Sequence, residues 1–351
     1  HSKNLGYSMK SSSLKKIVRS PAEWEEQAAT WLSFPRHPKN WAGEKGVQIR
    51  AFYFNLIYNI AKFQPVKMLV PKDWELPKEE EKAFLKCRFA PQAYKIATND
   101  IWIRDYGPFF VKKGDKKEIV QTNFNAWGAK FPPFLLDNKV PSAIAKAENL
   151  PISDIPFIFE GGALEVNDDG LAMTTLDCLI GKNRNDPKDL KKILSALCKK
   201  LGLRDILVLP EGLDGDHTDG HIDNLARFVE TNRVVMASEE DSTSPNYERL
   251  MEAKKLIEAW LKKHYGNKAK VDTLQLPPQK KMGKEILPAS YMNFIFVNGG
   301  LLFPSYEPKT DKKAKAYFKS VFPDRKIIAI DCRVVIQEGG ALHCLSKHES
   351  A

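Results

Sequence analysis

The sequence predicts an α/β fold in which about five similar units follow one another and close into a ring. Four stretches share one shape: an apolar strand ending at a valine, a short polar turn and a second apolar strand. The valines are Val111, Val166, Val229 and Val297, spaced 55, 63 and 68 residues apart. The turns contain the Asn, Asp and Gly residues that β-hairpins favour.

Each hairpin is followed, after a loop, by a helix and a further strand. Apolar stripes predict helices over 186–202, 246–266 and 311–322, and short apolar strands follow at 206–210, 271–277 and 326–331. An earlier helix over 52–63 precedes a strand at 66–71. The predicted unit is therefore helix, strand, loop and hairpin.

The pentapeptide EGGAL occurs at 160–164 and again at 338–342. Both copies are predicted to start a hairpin, where paired glycines allow the backbone to turn closely. The second copy starts a fifth hairpin, whose outgoing strand is cut short by the end of the chain. Residues 29–35 are expected to complete it, which would close the ring and leave no free sheet edge.

Composition indicates one soluble domain. Of 351 residues, 43% are hydrophobic and 28% are charged, and no apolar run approaches a membrane span. Five cysteines without a CxxC pair indicate reduced thiols, and the polar start lacks a signal peptide, so a cytoplasmic location is expected. Residues 1–8, ahead of Met9, are interpreted as an expression remnant, and 9–351 as a single domain.

The formal charge of +10 raises the question of a nucleic-acid partner. The lysines, however, lie in amphipathic helical stretches, where they form solvated faces, and no nucleic-acid motif accompanies them. Neither a nucleic-acid nor a membrane partner is predicted.

Chemically reactive residues recur where the hairpins start. They are Asp105, Glu160, His221, Asp223, Asn293 and Cys344. Equivalent positions of a closed ring face its axis, so these side chains are expected to converge on one cavity. The set contains one thiol, one imidazole and three carboxylates.

A Cys–His pair suits nucleophilic catalysis, because His can protonate a leaving group and later activate water. Three carboxylates would repel an acyl or phosphoryl transition state but attract a cation. A guanidinium binds carboxylates in bidentate fashion, and its central carbon is electrophilic while the group stays protonated. The pattern predicts a guanidinium substrate.

Two other classes of function are kept as alternatives. His217, His221 and Asp223 have a spacing that could hold a metal for hydrolysis, with further aspartates in the same stretch. A ring that only binds a partner is the third, but it predicts neutral residues at the hairpin starts.

Motifs along nearly the whole chain resemble the agmatine deiminases and the related Porphyromonas-type peptidylarginine deiminases of the pentein superfamily. They occur in family order: PAEWEEQAATWLSFPRHPKNW, NDIWIRDYGPFFV, FEGGALEV, TTLDCLIGKNRN, HTDGHIDNLARFV, ASYMNFIFVNGGLLFPSY and GGALHCLSK. The resemblance implies a pentein α/β-propeller of five pseudo-symmetric ββαβ units around a central active site.

The resemblance also implies roles for individual residues. Cys344 would be the nucleophile and His221 the general acid and base. Asp105 and Asp223 would clamp the guanidinium beside Trp102. Glu160 would contact the guanidinium or orient His221.

The implied reaction converts agmatine to N-carbamoylputrescine and ammonia through a covalent Cys344 thiouronium, without a metal or cofactor. The chain differs from agmatine deiminases at Leu176, Glu338 and Ala341, where the family usually has Glu, Gly and Asn. Peptidylarginine and other small guanidines therefore remain alternative substrates. A homodimer is kept as an alternative to a monomer.

Overall fold

The computed structural model describes residues 18–37 and 39–351. The segment 1–8, interpreted above as an expression remnant, lies outside the described residues. No helix in the described part of the chain is both long and apolar enough to cross a membrane.

Strands and helices alternate along this part of the chain. Its strands are β1 (Val18–Arg19), β2 (Gln27–Ser33), β3 (Val66–Leu69), β4 (Gln92–Tyr94), β5 (Phe109–Lys113), β6 (Lys116–Asn123), β7 (Ile152–Ile158), β8 (Glu165–Val166), β9 (Leu171–Thr175), β10 (Asp205–Leu209), β11 (Ala226–Glu230), β12 (Arg233–Ser238), β13 (Lys270–Gln275), β14 (Lys280–Met282), β15 (Glu285–Leu287), β16 (Ile295–Val297), β17 (Gly300–Ser305), β18 (Lys326–Asp331) and β19 (Ser346–Ser350). Its helices are α1 (Gly43–Ile60), α2 (Lys78–Phe84), α3 (Ile103–Tyr106), α4 (Ala126–Ala129), α5 (Val140–Ala147), α6 (Leu190–Leu201), α7 (Ile222–Leu225), α8 (Pro245–Tyr265), α9 (Pro308–Val321) and α10 (Leu342–Leu345).

Five sheets share one pattern, in which an antiparallel pair is extended by a parallel strand. They contain β5–β6–β7, β8–β9–β10, β11–β12–β13, β16–β17–β18 and β19–β2–β3. The four predicted hairpins are thus confirmed, as are the strands that follow the predicted helices. The mixed α/β class follows from this alternation.

Strand β2, near the start of the described chain, and the last strand, β19, lie in one sheet. Strand β19 pairs antiparallel with β2, so that Ser346 lies opposite Leu32 and Lys347 opposite Trp31. Glu349 accepts hydrogen bonds from Trp31 Nε1 at 2.8 Å, Lys67 Nζ at 2.9 Å and Lys117 Nζ at 2.7 Å. The expected pairing between residues 29–35 and the C-terminal strand is confirmed.

The predicted helices pack by their apolar stripes. In α6 the stripe of Ile193, Leu194, Leu197 and Leu201 is buried. Helix α5 and the β14–β15 hairpin are not predicted from the sequence. The first has only eight residues, and the second has no apolar alternation.

Short turns at the hairpin starts come together. Helices α3, α7 and α10 have four residues each and run directly or nearly directly into β5, β11 and β19. In the second hairpin a 3-10 turn over Gly161–Ala163 takes this place. Helix α3 packs against α10 and the 161–163 turn, and that turn packs against α7. Reactive groups far apart in sequence are thereby brought together.

Candidate active site

A cavity of about 430 Å³ opens beside these turns, within the size range of small-molecule sites. Its buried wall contains Trp102, Asp105, Trp127 and Cys344, each at most 7% exposed. The rest of its lining includes the buried ring of Trp41, the partly exposed His217 and Glu338, and the exposed Lys45 and Phe131 at the mouth.

Cys344 is held by its neighbours through hydrogen bonds. Asn293 Nδ2 donates to Cys344 Sγ at 3.2 Å, and the thiol lies 3.8 Å from Asp223 Oδ2. Burial raises the thiol pKa well above its usual value, and the carboxylates of Asp223 and Asp105 raise it further. Cys344 therefore rests as a neutral thiol, and a cation between it and the carboxylates would favour the thiolate.

His221 is fully buried between two carboxylates. Its Nδ1 lies 3.6 Å from Asp105 Oδ1, and its Nε2 lies 3.6 Å from Glu160 Oε2. Burial lowers its pKa, but the charges of Asp105, Asp223 and Glu160 outweigh burial and raise the pKa to about 10. At neutral pH His221 carries a proton that it can donate.

Asp105 has fixed partners on both oxygens. Its Oδ1 accepts from the Gly162 backbone N–H at 2.9 Å, and its Oδ2 accepts from Trp127 Nε1 at 3.0 Å. Burial raises its pKa to about 6, with further contributions from Asp223 and Glu160, while His221 and Trp127 lower it. The carboxylate is ionised above this pH and faces the cavity.

Asp223 is fully buried, and its Oδ2 lies 3.8 Å from Cys344 Sγ. Burial opposes its ionisation, but the hydrogen bond from His343 and the nearby cationic groups lower its pKa below the usual value. His343 Nδ1 lies 2.7 Å from Asp223 Oδ2, and His343 Nε2 lies 2.7 Å from Glu23 Oε2. Burial and the guanidinium of Arg104 lower the pKa of His343 and disfavour a second proton on its ring. Each ring nitrogen lies beside a carboxylate, and the single N–H of the neutral ring therefore donates to one of them.

The first EGGAL sequence now has a physical explanation at Gly162. A Cβ atom on this residue would lie 2.6 Å from Asp105 Oδ1, 2.6 Å from His221 Nδ1 and 3.0 Å from Asp223 Oδ2. Only glycine leaves room for the three side chains to approach one another.

The two EGGAL copies place their glutamates differently. Glu160 is fully buried, facing His221, and its Oε1 lies 2.7 Å from Arg184 Nε. Glu338 lies at the cavity mouth, 2.6 Å from Lys45 Nζ, and Gly339 follows it with a φ of +100°. The two identical pentapeptides thus have different surroundings, and Glu338 does not take the buried position of Glu160.

The residues considered as metal ligands do not form one group. His217 lines the mouth, where its Nε2 lies 3.0 Å from Glu285 Oε1. Among the described residues, the possible ligands whose donor atoms lie within 4.8 Å of one another are Glu160, Cys178 and His221. His217 does not belong to that group.

Sequence reasoning missed the supporting role of two residues at the site. Trp127 reaches Asp105 from the α4 turn, whose Ala126, Trp127 and Ala129 have positive φ values of 54°, 55° and 59°. No sequence pattern announces such a turn. The second residue is His343, which follows only the second EGGAL copy and whose contacts with Asp223 and Glu23 are not predicted from the sequence.

Comparisons with known proteins agree along the whole chain. The family profile of Porphyromonas-type peptidyl-arginine deiminases matches residues 19–349. An agmatine deiminase of Ectopseudomonas mendocina is 31% identical over an alignment that covers 94% of this chain and 95% of that protein. One from Pseudomonas syringae pv. tomato is also 31% identical over 94% of this chain and 95% of its own.

Solved structures of similar proteins have the same fold as this chain. A structure of the C. jejuni agmatine deiminase, a Cys-to-Ser variant with substrate bound, has a TM-score of 0.85 at 30% identity, covering 99% of each chain. A dimethylarginine dimethylaminohydrolase shares the fold, with a TM-score of 0.51 at 13% identity over 92% of this chain and 99% of its own. Because the family profile spans nearly all of the chain, this protein belongs to the Porphyromonas-type peptidyl-arginine deiminase family.

Proposed function

We propose that the protein is an agmatine deiminase, a hydrolase that converts agmatine and water to N-carbamoylputrescine and ammonia. The five sheets are the units of a five-bladed ββαβ propeller, with the catalytic cavity on its axis. The names of the curated relatives support agmatine as the substrate. The observation that carries the proposal is the buried Cys344 thiol, which lies 3.8 Å from Asp223 Oδ2 and shares its cavity with Asp105, the carboxylate 3.6 Å from His221 Nδ1.

Binding precedes ionisation of the nucleophile. The guanidinium enters beside Trp102 and binds between Asp105 and Asp223, which supply the charge that a buried cation needs. Asp223 lies 3.8 Å from Cys344 Sγ, so the bound cation also lies next to the thiol. The added positive charge lowers the thiol pKa, and the sulfur becomes a thiolate.

The first half of the reaction forms a covalent intermediate. The thiolate of Cys344 attacks the central guanidinium carbon to form the C–S bond. His221 donates its proton to the departing nitrogen, the C–N bond breaks and ammonia leaves. A thiouronium on Cys344 remains, and His221 is left neutral.

In the second half, His221 takes a proton from water, which attacks the same carbon. The C–S bond breaks and thiolate returns, the hydroxyl proton of the adduct passes to solvent, and the product departs with a neutral ureido group. Glu160 lies 3.6 Å from His221 Nε2 and holds the ring in the position from which both proton transfers occur. No metal or cofactor has a role in this sequence of steps.

The substrate is tested by measuring ammonia release from agmatine, free arginine and a blocked arginyl peptide. The highest kcat/KM is expected with agmatine, and Cys344→Ser is expected to abolish turnover. The highest kcat/KM with the arginyl peptide would favour peptidylarginine deimination instead.

The metal-hydrolase alternative has a separate test. Full activity is expected after exhaustive dialysis against a chelator, because Cys344 supplies the nucleophile that a metal-bound water would otherwise provide. Activity that disappeared and returned with zinc or manganese would favour the metal mechanism.

A further inference from the structure

At the mouth of the cavity, one lysine occupies a place suited to an ammonium ion. Lys45 Nζ lies 2.6 Å from Glu338 Oε2 and 5.1 Å from the centroid of the Trp41 ring. All three residues line the cavity that contains Cys344. We call the indole of Trp41 and the carboxylate of Glu338 the Trp41–Glu338 site.

A carboxylate beside an aromatic face binds a primary ammonium by an ion pair and a cation–π contact. Lys45 is a weakly held occupant, because its side chain is 50% exposed and exposed ion pairs contribute little free energy. It lies in the first turn of α1, and its long side chain can rotate into solvent. Another ammonium can therefore replace it at small cost.

A second lysine at the mouth is engaged elsewhere. Lys130 Nζ bonds to Asp219 and to the backbone carbonyl of His217. A further carboxyl, that of Asp100, also lines the cavity. The Trp41–Glu338 site thus combines a carboxylate, an aromatic ring and a displaceable ion.

We propose that the Trp41–Glu338 site binds the distal ammonium of the substrate and that Lys45 is an internal competitor for this site. The inference rests on the proposed function, because it requires the guanidinium to lie at Cys344 while the alkyl chain extends toward the mouth. The preferred substrates are then guanidines with a second primary ammonium, over guanidines with a neutral tail.

The test compares agmatine with 1-butylguanidine, which has the same chain but no ammonium. In each variant the KM for agmatine is divided by the KM for butylguanidine. Glu338→Gln is expected to raise this ratio about fivefold, which corresponds to the upper limit of the free energy that an exposed ion pair contributes. Lys45→Met is expected to lower it by about twofold to fivefold, because the competitor is gone.

The KM ratio is expected to change in opposite directions in Glu338→Gln and Lys45→Met. This difference distinguishes the proposal from a purely structural role of the Lys45–Glu338 pair. If the Lys45–Glu338 pair only stabilised the mouth, removing either partner would change the ratio in the same direction, which would overturn the proposal. An unchanged ratio in Glu338→Gln would overturn it as well.

Two further variants control for charge. Lys45→Arg retains a cation at the site and is expected to keep the ratio near the wild-type value. Lys39→Met removes one charge from the same cavity lining without vacating the site, and a smaller change than in Lys45→Met is expected. An equal change in both lysine variants would mean that only the long-range field acts, contrary to the proposal.

A binding measurement keeps the test independent of turnover. Calorimetry with the Cys344→Ser variant, alone and combined with Glu338→Gln or Lys45→Met, gives the ratio of the two dissociation constants directly. Absence of ammonia release from both guanidines would contradict the deiminase function, whereas the calorimetric ratios would still support or refute the ammonium site.

Discussion

Asp105 shows at the scale of one residue how the site is kept ready for a cation. A carboxylate this deeply buried resists ionisation, and its pKa of about 6 reflects that cost. The indole N–H of Trp127 opposes the cost by donating to Oδ2 at 3.0 Å. Trp127 is therefore a positioning residue that also helps to keep Asp105 charged.

Replacing Trp127 by Phe retains an aromatic ring but removes this donor. The pKa of Asp105 is expected to rise above about 6, because the charged form loses a hydrogen bond. Since Asp105 must be ionised to bind the guanidinium, the acidic limb of kcat/KM should move to higher pH. A hydrogen bond to a charged group corresponds to a shift of about one pH unit.

A matched control is available in the same chain. Trp260 Nε1 donates to Asp205 Oδ2 at 3.0 Å, outside the cavity lining. Trp260→Phe loses the same kind of bond and should leave the acidic limb in place. If the limb were also unchanged in a folded Trp127→Phe protein, the Trp127 bond would have no influence on the reaction.

At the scale of secondary-structure elements, the site depends on how closely short turns can approach. The 3-10 turn over Gly161–Ala163 packs against α3 and α7, which carry Asp105 and Asp223. An added Cβ at Gly162 would come within 2.6 Å of both Asp105 Oδ1 and His221 Nδ1. The three groups cannot keep their positions around such an atom.

Gly162→Ala is expected to reduce kcat/KM by about 100-fold, the usual cost of moving catalytic groups by roughly 1 Å. Gly299→Ala is the control, because its Cβ would meet open space but its φ is +77°. This control should lose about 1 kcal/mol of stability and little activity. Near-normal kcat/KM in Gly162→Ala would show that the turn tolerates a side chain.

The hairpins were predictable because strand alternation and turn residues are local signals. The convergence of Asp105, His221 and Cys344 followed from assuming that repeated units close into a ring. The contact of Trp127 with Asp105 could not be predicted, because it depends on left-handed backbone in α4. The position of Glu338 at the cavity mouth could not be predicted, because its pentapeptide is identical to the one that contains the buried Glu160.

At the scale of the whole molecule, the last strand, β19, pairs with β2 near the start of the described residues. Glu349 connects this pair to Lys67 on β3 and Lys117 on β6. Burial disfavours its charge, yet the hydrogen bond from Lys117 and the charge of Lys67 lower its pKa below the usual value. The C-terminal strand, which closely follows Cys344, is thereby fixed to the rest of the fold.

Glu349→Gln is expected to reduce the free energy of unfolding by about 3 kcal/mol, because two lysines lose a buried partner. The lowered pKa stabilises the folded protein above the unfolded-state pKa of about 4.3. The difference between wild type and variant should therefore shrink as pH falls through the folded-state pKa. Urea denaturation at several pH values measures it.

Glu258→Gln provides the comparison for Glu349→Gln. Glu258 pairs with Lys254 on the exposed face of α8, where its side chain is 45% exposed. Removing this pair should cost no more than about 0.5 kcal/mol. Equal losses in the two variants would mean that Glu349 contributes no more than a surface charge.

Attack of Cys344 on the guanidinium carbon leaves a covalent intermediate that can be trapped. The enzyme is mixed with agmatine, quenched in acid within the first turnovers and digested, and the peptide containing Cys344 is weighed by mass spectrometry. We expect a mass increase on Cys344 equal to agmatine less ammonia. Cys344→Ser should lack this increase but still bind agmatine. Ammonia release by Cys344→Ser at a near-normal rate, with no adduct in the wild type, would contradict attack by Cys344.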